Sequence, residues 1–277
     1  MDVTITESTV QAVPAGSTLT RTAIVTGGAG GIGRTISRRL AAEGYAVVVA
    51  DLNQAAADQA AAGLPEIDGA DHRGFGGDLT DSGVNRELAA FAAETAPIGV
   101  LVNAVGISPK RNGRKIPFFE LGDDAWNQVM AVNVSAPFFL IREAFRYMPT
   151  DGSASIVNLL SITAKLGTGG PADAGFGLYL PSSVAYGASK AALQNLTASL
   201  SHELAVRRIR VNGIAPGFVQ TPMMGEVPID ERLLGQVPMK RFAKPEEIAD
   251  AVAFLISDQA SYITGTSLDI NGGWLTC

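Results

Sequence analysis

The sequence predicts an α/β fold, a single doubly wound domain in which a seven-stranded, mostly parallel sheet is flanked by helices. Three observations predict it. From residue 22 onward short apolar runs alternate with helix-length amphipathic segments, which is the signature of βαβ units. Several of these runs, such as Ala46-Val47-Val48-Val49-Ala50, are apolar without alternation, as strands covered on both faces are. The first run passes through a glycine-rich turn directly into a helical pattern.

In chain order, strands are expected at 22–27, 46–50, 72–76, 99–103, 154–160, 209–214 and 267–270. Between the first two, Ile32, Ile36 and Leu40 recur every four residues and form one apolar helical stripe, which Gly44 closes. Pro245 followed by Glu246 and Glu247 starts a late helix, because Pro suits the first turn and the acids suit its positive end. No repeat, linker or low-complexity block follows residue 20. Residues 21–277 are therefore expected to form one domain holding both cofactor and substrate sites, and residues 1–20, rich in Ser, Thr and Val, a flexible N-terminal tail.

Composition narrows the function. With 47% hydrophobic and 17% charged residues the chain is not disordered as a whole, and its 31 glycines follow no triplet period, which excludes collagen. A net charge of −6 argues against gripping nucleic acid or an anionic membrane surface, and no run of 18 apolar residues predicts a membrane span. A small molecule is the expected partner. The one cysteine, Cys277, excludes an intramolecular disulfide and a Cys metal cluster, and the first residues lack a signal peptide's basic and apolar regions. A cytoplasmic location is expected. His72 and His202 lie far apart without ligand-like neighbours, so no metal is expected and a metal-dependent hydrolase is disfavoured.

Thr26-Gly27-Gly28-Ala29-Gly30-Gly31-Ile32-Gly33 carries a strand into a helix, where backbone N–H groups and the helix's positive end can meet a diphosphate. Two patterns fit, G-x-G-x-x-G through Gly28, Gly30 and Gly33, and T-G-x-x-x-G-x-G through Thr26, Gly27, Gly31 and Gly33. The glycines alone do not choose. Asp51, at the end of the second strand, can accept hydrogen bonds from both hydroxyls of an adenosine ribose and would repel a 2′-phosphate, which favours NAD over NADP. Its other reading is a cap of the next helix.

Tyr186 and Lys190 are four residues apart, one turn of a helix on one face. Among the tyrosines at 45, 147, 179, 186 and 262, only Tyr186 has a lysine four residues later. A neighbouring cation lowers a phenol's pKa and fits it for general acid–base work, whereas an ordinary surface pair is the plainer reading.

At this point the chain, from about Thr22 to Trp274, resembles the short-chain dehydrogenase/reductase family, with a Rossmann fold. The resemblance rests on the order of its motifs: the glycine turn, Asp78-Leu79, Asn103-Ala104-Val105-Gly106, Asn133 in Val132-Asn133-Val134, Ser161, the Tyr186–Lys190 pair, and Pro216-Gly217-Phe218-Val219-Gln220-Thr221. It departs from the family at Val102, where an asparagine is usual. The resemblance implies reversible hydride transfer between an alcohol carbon and a nicotinamide, with Asn133, Ser161, Tyr186 and Lys190 as the catalytic set. Tyr186 would exchange the proton and Ser161 bind the oxyanion; Lys190 would hold the nicotinamide ribose and depress Tyr186, and Asn133 would hold a water linking Lys190 to solvent. The cofactor residues it implies are Gly27, Gly31, Ile32, Gly33, Asp51, Asp78, Leu79, Asn103, Ala104, Gly106, Tyr186, Lys190, Pro216, Gly217, Val219 and Thr221. It also implies a homotetramer joined through helices around 123–148 and 185–206 and the C-terminal strand.

The interval from Ser161 to Tyr186 is longer than the family's usual one, and the extra material includes Gly167 to Gly177. Ser182 or Ser183 could therefore approach Tyr186, but Ser161 is kept as the expected serine, since it follows a buried-strand pattern and the alternatives lie nearly on the tyrosine's helix. The insertion, with Phe176 and Tyr179, is either a rim beside the substrate or a passive surface loop. Ser108 to Lys115 holds four cations in six residues; Arg114 or Lys115 is expected to attract an acidic substrate, against the reading of a solvated loop. Met223 to Val237 resembles the family's substrate loop. The expected function is NAD-dependent oxidation of a secondary alcohol, a polyol or hydroxy acid; its competitors are an NADPH-dependent ketone or 3-oxoacyl reductase and a non-catalytic nucleotide sensor.

Overall fold

The structure, a computed structural model, describes residues 21–66, 70–169, 180–221 and 231–276. Phe176, Tyr179, the N-terminal tail and most of the 223–237 segment lie outside the described residues.

The strands of the main sheet are β1 (Thr22–Thr26), β2 (Ala46–Asp51), β3 (Arg73–Gly76), β4 (Ile98–Asn103), β7 (Ser155–Leu159), β8 (Arg210–Pro216) and β9 (Ser267–Ile270). A separate hairpin, β5 (Lys110–Arg111) and β6 (Arg114–Lys115), intervenes. The sheet order is β3-β2-β1-β4-β7-β8-β9, and every pair is parallel. This is the seven-stranded doubly wound fold that the alternating pattern predicts, each strand lying within two residues of its expected bounds.

Side chains along the central strands alternate between two apolar layers, which is why they read as unbroken apolar runs. Val25, Val49, Val102 and Val157 face one layer with α1 (Gly31–Ala42) and α8 (Pro245–Ile256). Ile24, Val48, Leu101 and Ile156 face the other, with α3 (Ser82–Ala93) and α5 (Ala136–Ala144). The first helix buries Ile36 and Leu40 and ends at Gly44, whose φ of +91° stops it. The late helix begins at Pro245 as predicted. α2 (Gln54–Ala62), α4 (Asp123–Met130), α6 (Val184–Ala205) and the short α7 (Glu231–Gly235) complete the helices of the described residues.

The chain runs outward from β1 through β2 to β3, then returns to β4 on the opposite side of β1. This reversal opens a crevice at the carboxyl ends of β1 and β4, where open α/β sheets bind ligands. The glycine turn closes one wall. A Cβ on Gly33 would stand 2.2 Å from the Gly27 carbonyl oxygen, so α1 can pack this closely on the strand end only with glycine there. Gly33→Ala is expected to cost about 1–3 kcal/mol of stability by urea unfolding, whereas Gly30→Ala, with nothing within 4 Å of the added carbon, should cost less than about 1 kcal/mol.

Candidate active site

Backbone geometry separates the two glycine patterns. Gly27 and Gly31 hold φ of +63° and +49°, whereas Gly30 is extended and unconstrained. Thr26 Oγ1 accepts hydrogen bonds from the N–H groups of Ala104 (3.1 Å) and Val105 (3.2 Å), joining the turn after β1 to the turn after β4. Asn103 is buried and donates to Asn158 Oδ1 at 2.8 Å. Asp51 Oδ2 accepts from Ala29 N–H at 3.3 Å. The cap of α2 is Asn53 instead, so Asp51 stands at the crevice without that duty. Asp78 accepts from the Thr80 hydroxyl and N–H in a local turn, and Leu79 is buried in the core.

Three elements bring the chemistry together. Ser161 follows β7; its Oγ accepts from Thr163 N–H at 3.2 Å, and its hydroxyl stands near enough to the Tyr186 phenol to lower that phenol's pKa. Lys190, one turn along α6, is 3% exposed, and its ammonium donates to the Leu159 carbonyl at 2.6 Å and lies 5.7 Å from the centroid of the Tyr186 ring. Burial lowers the Lys190 pKa to about 8. Asn133 sits in a π-helical turn, Ala131–Ser135, between α4 and α5. Its Oδ1 accepts from Ile107 N–H at 2.8 Å, and its amide donates to the Ile107 carbonyl and to Ser189 Oγ, both at 3.0 Å. Ser189 in turn donates to the Tyr186 carbonyl at 2.8 Å.

A cavity of about 350 Å³ opens onto this group. Ser161, Tyr186 and Lys190 line it, as do Ile32, Ala104, Gly106, Pro216, Gly217, Val219 and Thr221. Gly27, Gly31, Gly33, Asp51, Asp78, Leu79, Asn103 and Asn133 lie off this cavity, along or behind the crevice.

A family model described as enoyl-(acyl carrier protein) reductase matches residues 27–275. The chain is 34% identical over 262 residues to the (3R)-3-hydroxyacyl-CoA dehydrogenase of Canis lupus familiaris, covering 91% of this chain and 95% of that one. It is 38% identical over 259 residues to the cis-4-hydroxycyclohexanecarboxylate dehydrogenase of Sinomonas cyclohexanicum, covering 92% and 96%, and 35% identical over 254 residues to the 3-oxoacyl-[acyl-carrier-protein] reductase FabG of Escherichia coli, covering 91% and 96%. A short-chain dehydrogenase/reductase (glucose/ribitol dehydrogenase) crystal structure from Brucella melitensis superposes with a TM-score of 0.79 at 33% identity, covering 93% of this chain and 97% of that one. The chain belongs to the short-chain dehydrogenase/reductase family. Like its relatives it is an oxidoreductase acting on hydroxyl or keto groups.

Against the short-chain dehydrogenase/reductase pattern, one expectation is kept and two change. Ser183 is fully buried as the cap of α6 and off the cavity wall, whereas Ser161 lines the cavity and its hydroxyl lowers the Tyr186 pKa, in keeping with the expected serine. The Tyr186 pKa is raised rather than depressed, because burial outweighs the one contact that lowers it, and that contact is the Ser161 hydroxyl rather than Lys190. Neither Arg114 nor Lys115 lines the cavity. Lys115 Nζ donates to the carbonyls of Thr168 (2.9 Å) and Gly169 (2.7 Å) and to Thr168 Oγ1 (3.2 Å), clasping the stem of the insertion, while Arg114 is exposed. Lys110 lines the cavity in their place.

Three residues were missed. Lys110, Ser189 and Asn158 carry no motif of their own; their roles come from partners 39 to 56 positions away or from the hairpin's turn. The turn itself had a signal, Asn112-Gly113, both at positive φ, as a two-residue hairpin loop demands. Among the described residues no three His, Cys, Asp or Glu side chains cluster to hold a metal, and no helix is long and apolar enough to cross a membrane. His72 takes Val47 N–H on Nδ1 and bonds the Pro65 carbonyl through Nε2, a structural link.

The lowered Lys190 pKa has a thermodynamic sign. Folding disfavours its charged form, so Lys190 costs stability below about pH 8 and the cost fades as pH rises toward the unfolded value of 10.5. Lys190→Met is therefore expected to be more stable than the parent at pH 7, by up to about 3 kcal/mol in urea unfolding, and to lose that advantage by pH 10.

Proposed function

We propose that this protein oxidises a secondary alcohol, a polyol or hydroxy acid, with NAD, and that Asn133, Ser161, Tyr186 and Lys190 are its working residues. The observation that carries the reading is Ser161, Tyr186 and Lys190 lining one cavity, with the buried Lys190 one helical turn from Tyr186. Tyr186 takes the hydroxyl proton in oxidation and returns it in reduction. Ser161 orients the reacting oxygen and donates to it as negative charge develops. Asn133 has its side chain committed to Ile107 and Ser189, so it acts by fixing the turn after β4 and, through Ser189, the backbone of Tyr186.

The residues fit a nicotinamide dinucleotide. The space around Gly31 is open, a Cβ on Gly106 would crowd Lys190 Nζ at 3.3 Å, and the buried Asn103 Oδ1 has no partner. Gly27, Gly31, Ile32 and Gly33 would hold the diphosphate, Asp78 and Leu79 the adenine, and Asp51 the ribose. Asn103, Ala104, Gly106 and Lys190 would hold the nicotinamide side, and Pro216, Gly217, Val219 and Thr221 its carboxamide. When bound, the cofactor supplies the redox chemistry. The Asp51 carboxylate at the crevice supports NAD over NADP.

Similarity to the Sinomonas hydroxycyclohexanecarboxylate dehydrogenase supports a hydroxy acid. Similarity to FabG supports the reverse reaction, reduction of a ketone or 3-oxoacyl group by the same residues. Trp126, Phe138 and Tyr147, all exposed between α4 and the end of α5, support assembly into a homotetramer across that face.

In an NADH-formation assay over secondary alcohols, polyols and hydroxy acids, turnover is expected with NAD and not NADP. Tyr186→Phe should lower it about 10²–10⁴-fold while changing NADH affinity less than about threefold. Turnover confined to NADP would overturn the cofactor assignment. Because the phenol's pKa is raised, oxidation should climb with pH across the alkaline range and ketone reduction should fall, as read from the two pH–rate profiles.

A further inference from the structure

The cluster of cations after β4 resolves into four different environments. Arg111 pairs with Glu120 at 2.5 Å. Lys115 is committed to Thr168 and Gly169. Arg114 is exposed and off the cavity wall. Lys110 is exposed where it lines the cavity, and its side chain has no ion pair or hydrogen bond among the described residues. The wall carries further polar atoms without a partner: Ser108 Oγ, Thr163 Oγ1 and Trp274 Nε1. Lysine and the tryptophan indole can only donate, and hydroxyls can donate as well as accept. For Ser108, Thr163 and Trp274, whose polar atoms are buried, being left unpaired is costly, and native proteins rarely keep such donors without a reason; the exposed Lys110 adds a free charge beside them. The remainder of the wall is apolar, through Leu160, Ile162, Leu180 and Phe218.

The reacting oxygen is taken up by Ser161 and Tyr186, so the unpaired donors call for a second, acceptor-rich group on the same ligand. From this we propose that Lys110 is a specificity-determining residue that receives a carboxylate, and that the substrate is a compact hydroxy acid with an apolar body between its hydroxyl and that carboxylate. A carboxylate accepts at both oxygens and makes its strongest hydrogen bonds with charged donors. The proposal rests on the oxidoreductase reading of this site and deepens it.

The test uses the holoenzyme and a matched set: 6-hydroxyheptanoate, its methyl ester and its CoA thioester, with parent, Lys110→Met and Lys110→Arg proteins at low and high salt. The parent should prefer the acid to the ester, and Lys110→Met should shrink that preference about tenfold through KM rather than kcat. Lys110→Arg should restore most of it, and salt should weaken it in the parent, as for any partly exposed charge. Equal losses for acid and ester would overturn the proposal, and so would a dependence on Lys110 confined to the CoA thioester, which would place a phosphate there instead. Should none of the three be turned over, calorimetric titration of hexanoate and hexanamide into the NADH complex reads the carboxylate site without chemistry. Hexanoate binding lost in Lys110→Met would support the carboxylate site; binding no tighter than that of hexanamide would overturn it.

Discussion

The docking of α6 on the sheet is the constraint from which the active site follows, and it is made by hydrogen bonds where most helix-on-sheet contacts are apolar. Asn158, at the carboxyl end of β7, accepts from Asn103 on β4 and donates to Thr197 on α6 at 2.9 Å, and Thr197 donates back to the Leu193 carbonyl. Lys190 adds its bond to Leu159, and Asn133 reaches Ser189 from the π-helical turn. Apolar surfaces slide with little penalty because burial is non-directional. Hydrogen bonds between buried amides and hydroxyls tolerate far less error in distance and angle. The phenol and ammonium of α6 and the serine hydroxyl that follows β7 are held in register by this polar seam.

The opposite face of the sheet shows the contrast. There α1 and α8 pack through Ile36, Leu40, Ile248 and Val252 in an ordinary apolar layer, and the accuracy needed at the crevice comes from the absence of a side chain at Gly33. Backbone therefore shapes the proposed cofactor side and side chains shape the catalytic side. Burial of Lys190 is unfavourable for folding, and the protein carries that cost beside the Tyr186 ring on the cavity wall. The remaining strand and helix contacts supply the stability that tolerates it.

The fold was legible because its strands are buried on both faces and its first helix is plainly amphipathic. Val47 to Ala50 and the Ile32, Ile36, Leu40 stripe carry information that depends only on near neighbours in the chain. The Tyr186–Lys190 pair was legible for the same reason, one helical turn being a local relation. What escaped depended on distant partners. The buried stripe of α6 contains Ser189, Lys190, Thr197 and Ser201, so no apolar periodicity marks which face turns inward. Ser161 was legible from the buried strand that precedes it, while the burial of Ser183 under the start of α6 depends on the fold. The sequence pattern also counted cations without their partners, and for that reason selected Arg114 and Lys115 where the fold turns Lys110 to the cavity.

The three bonds from Lys115 to Thr168 and Gly169 join two loops that are 53 positions apart in sequence. A loop that returns to its own strand can be exchanged between homologues alone, but these two share a fastening and form one cassette. A chimera that receives the basic hairpin without the 165–169 stem would carry a half-buried ammonium with no carbonyls to accept from it. The reciprocal chimera would leave the stem's carbonyls facing outward. Recombination that redirects such an enzyme to a new substrate would have to move both pieces in a single step.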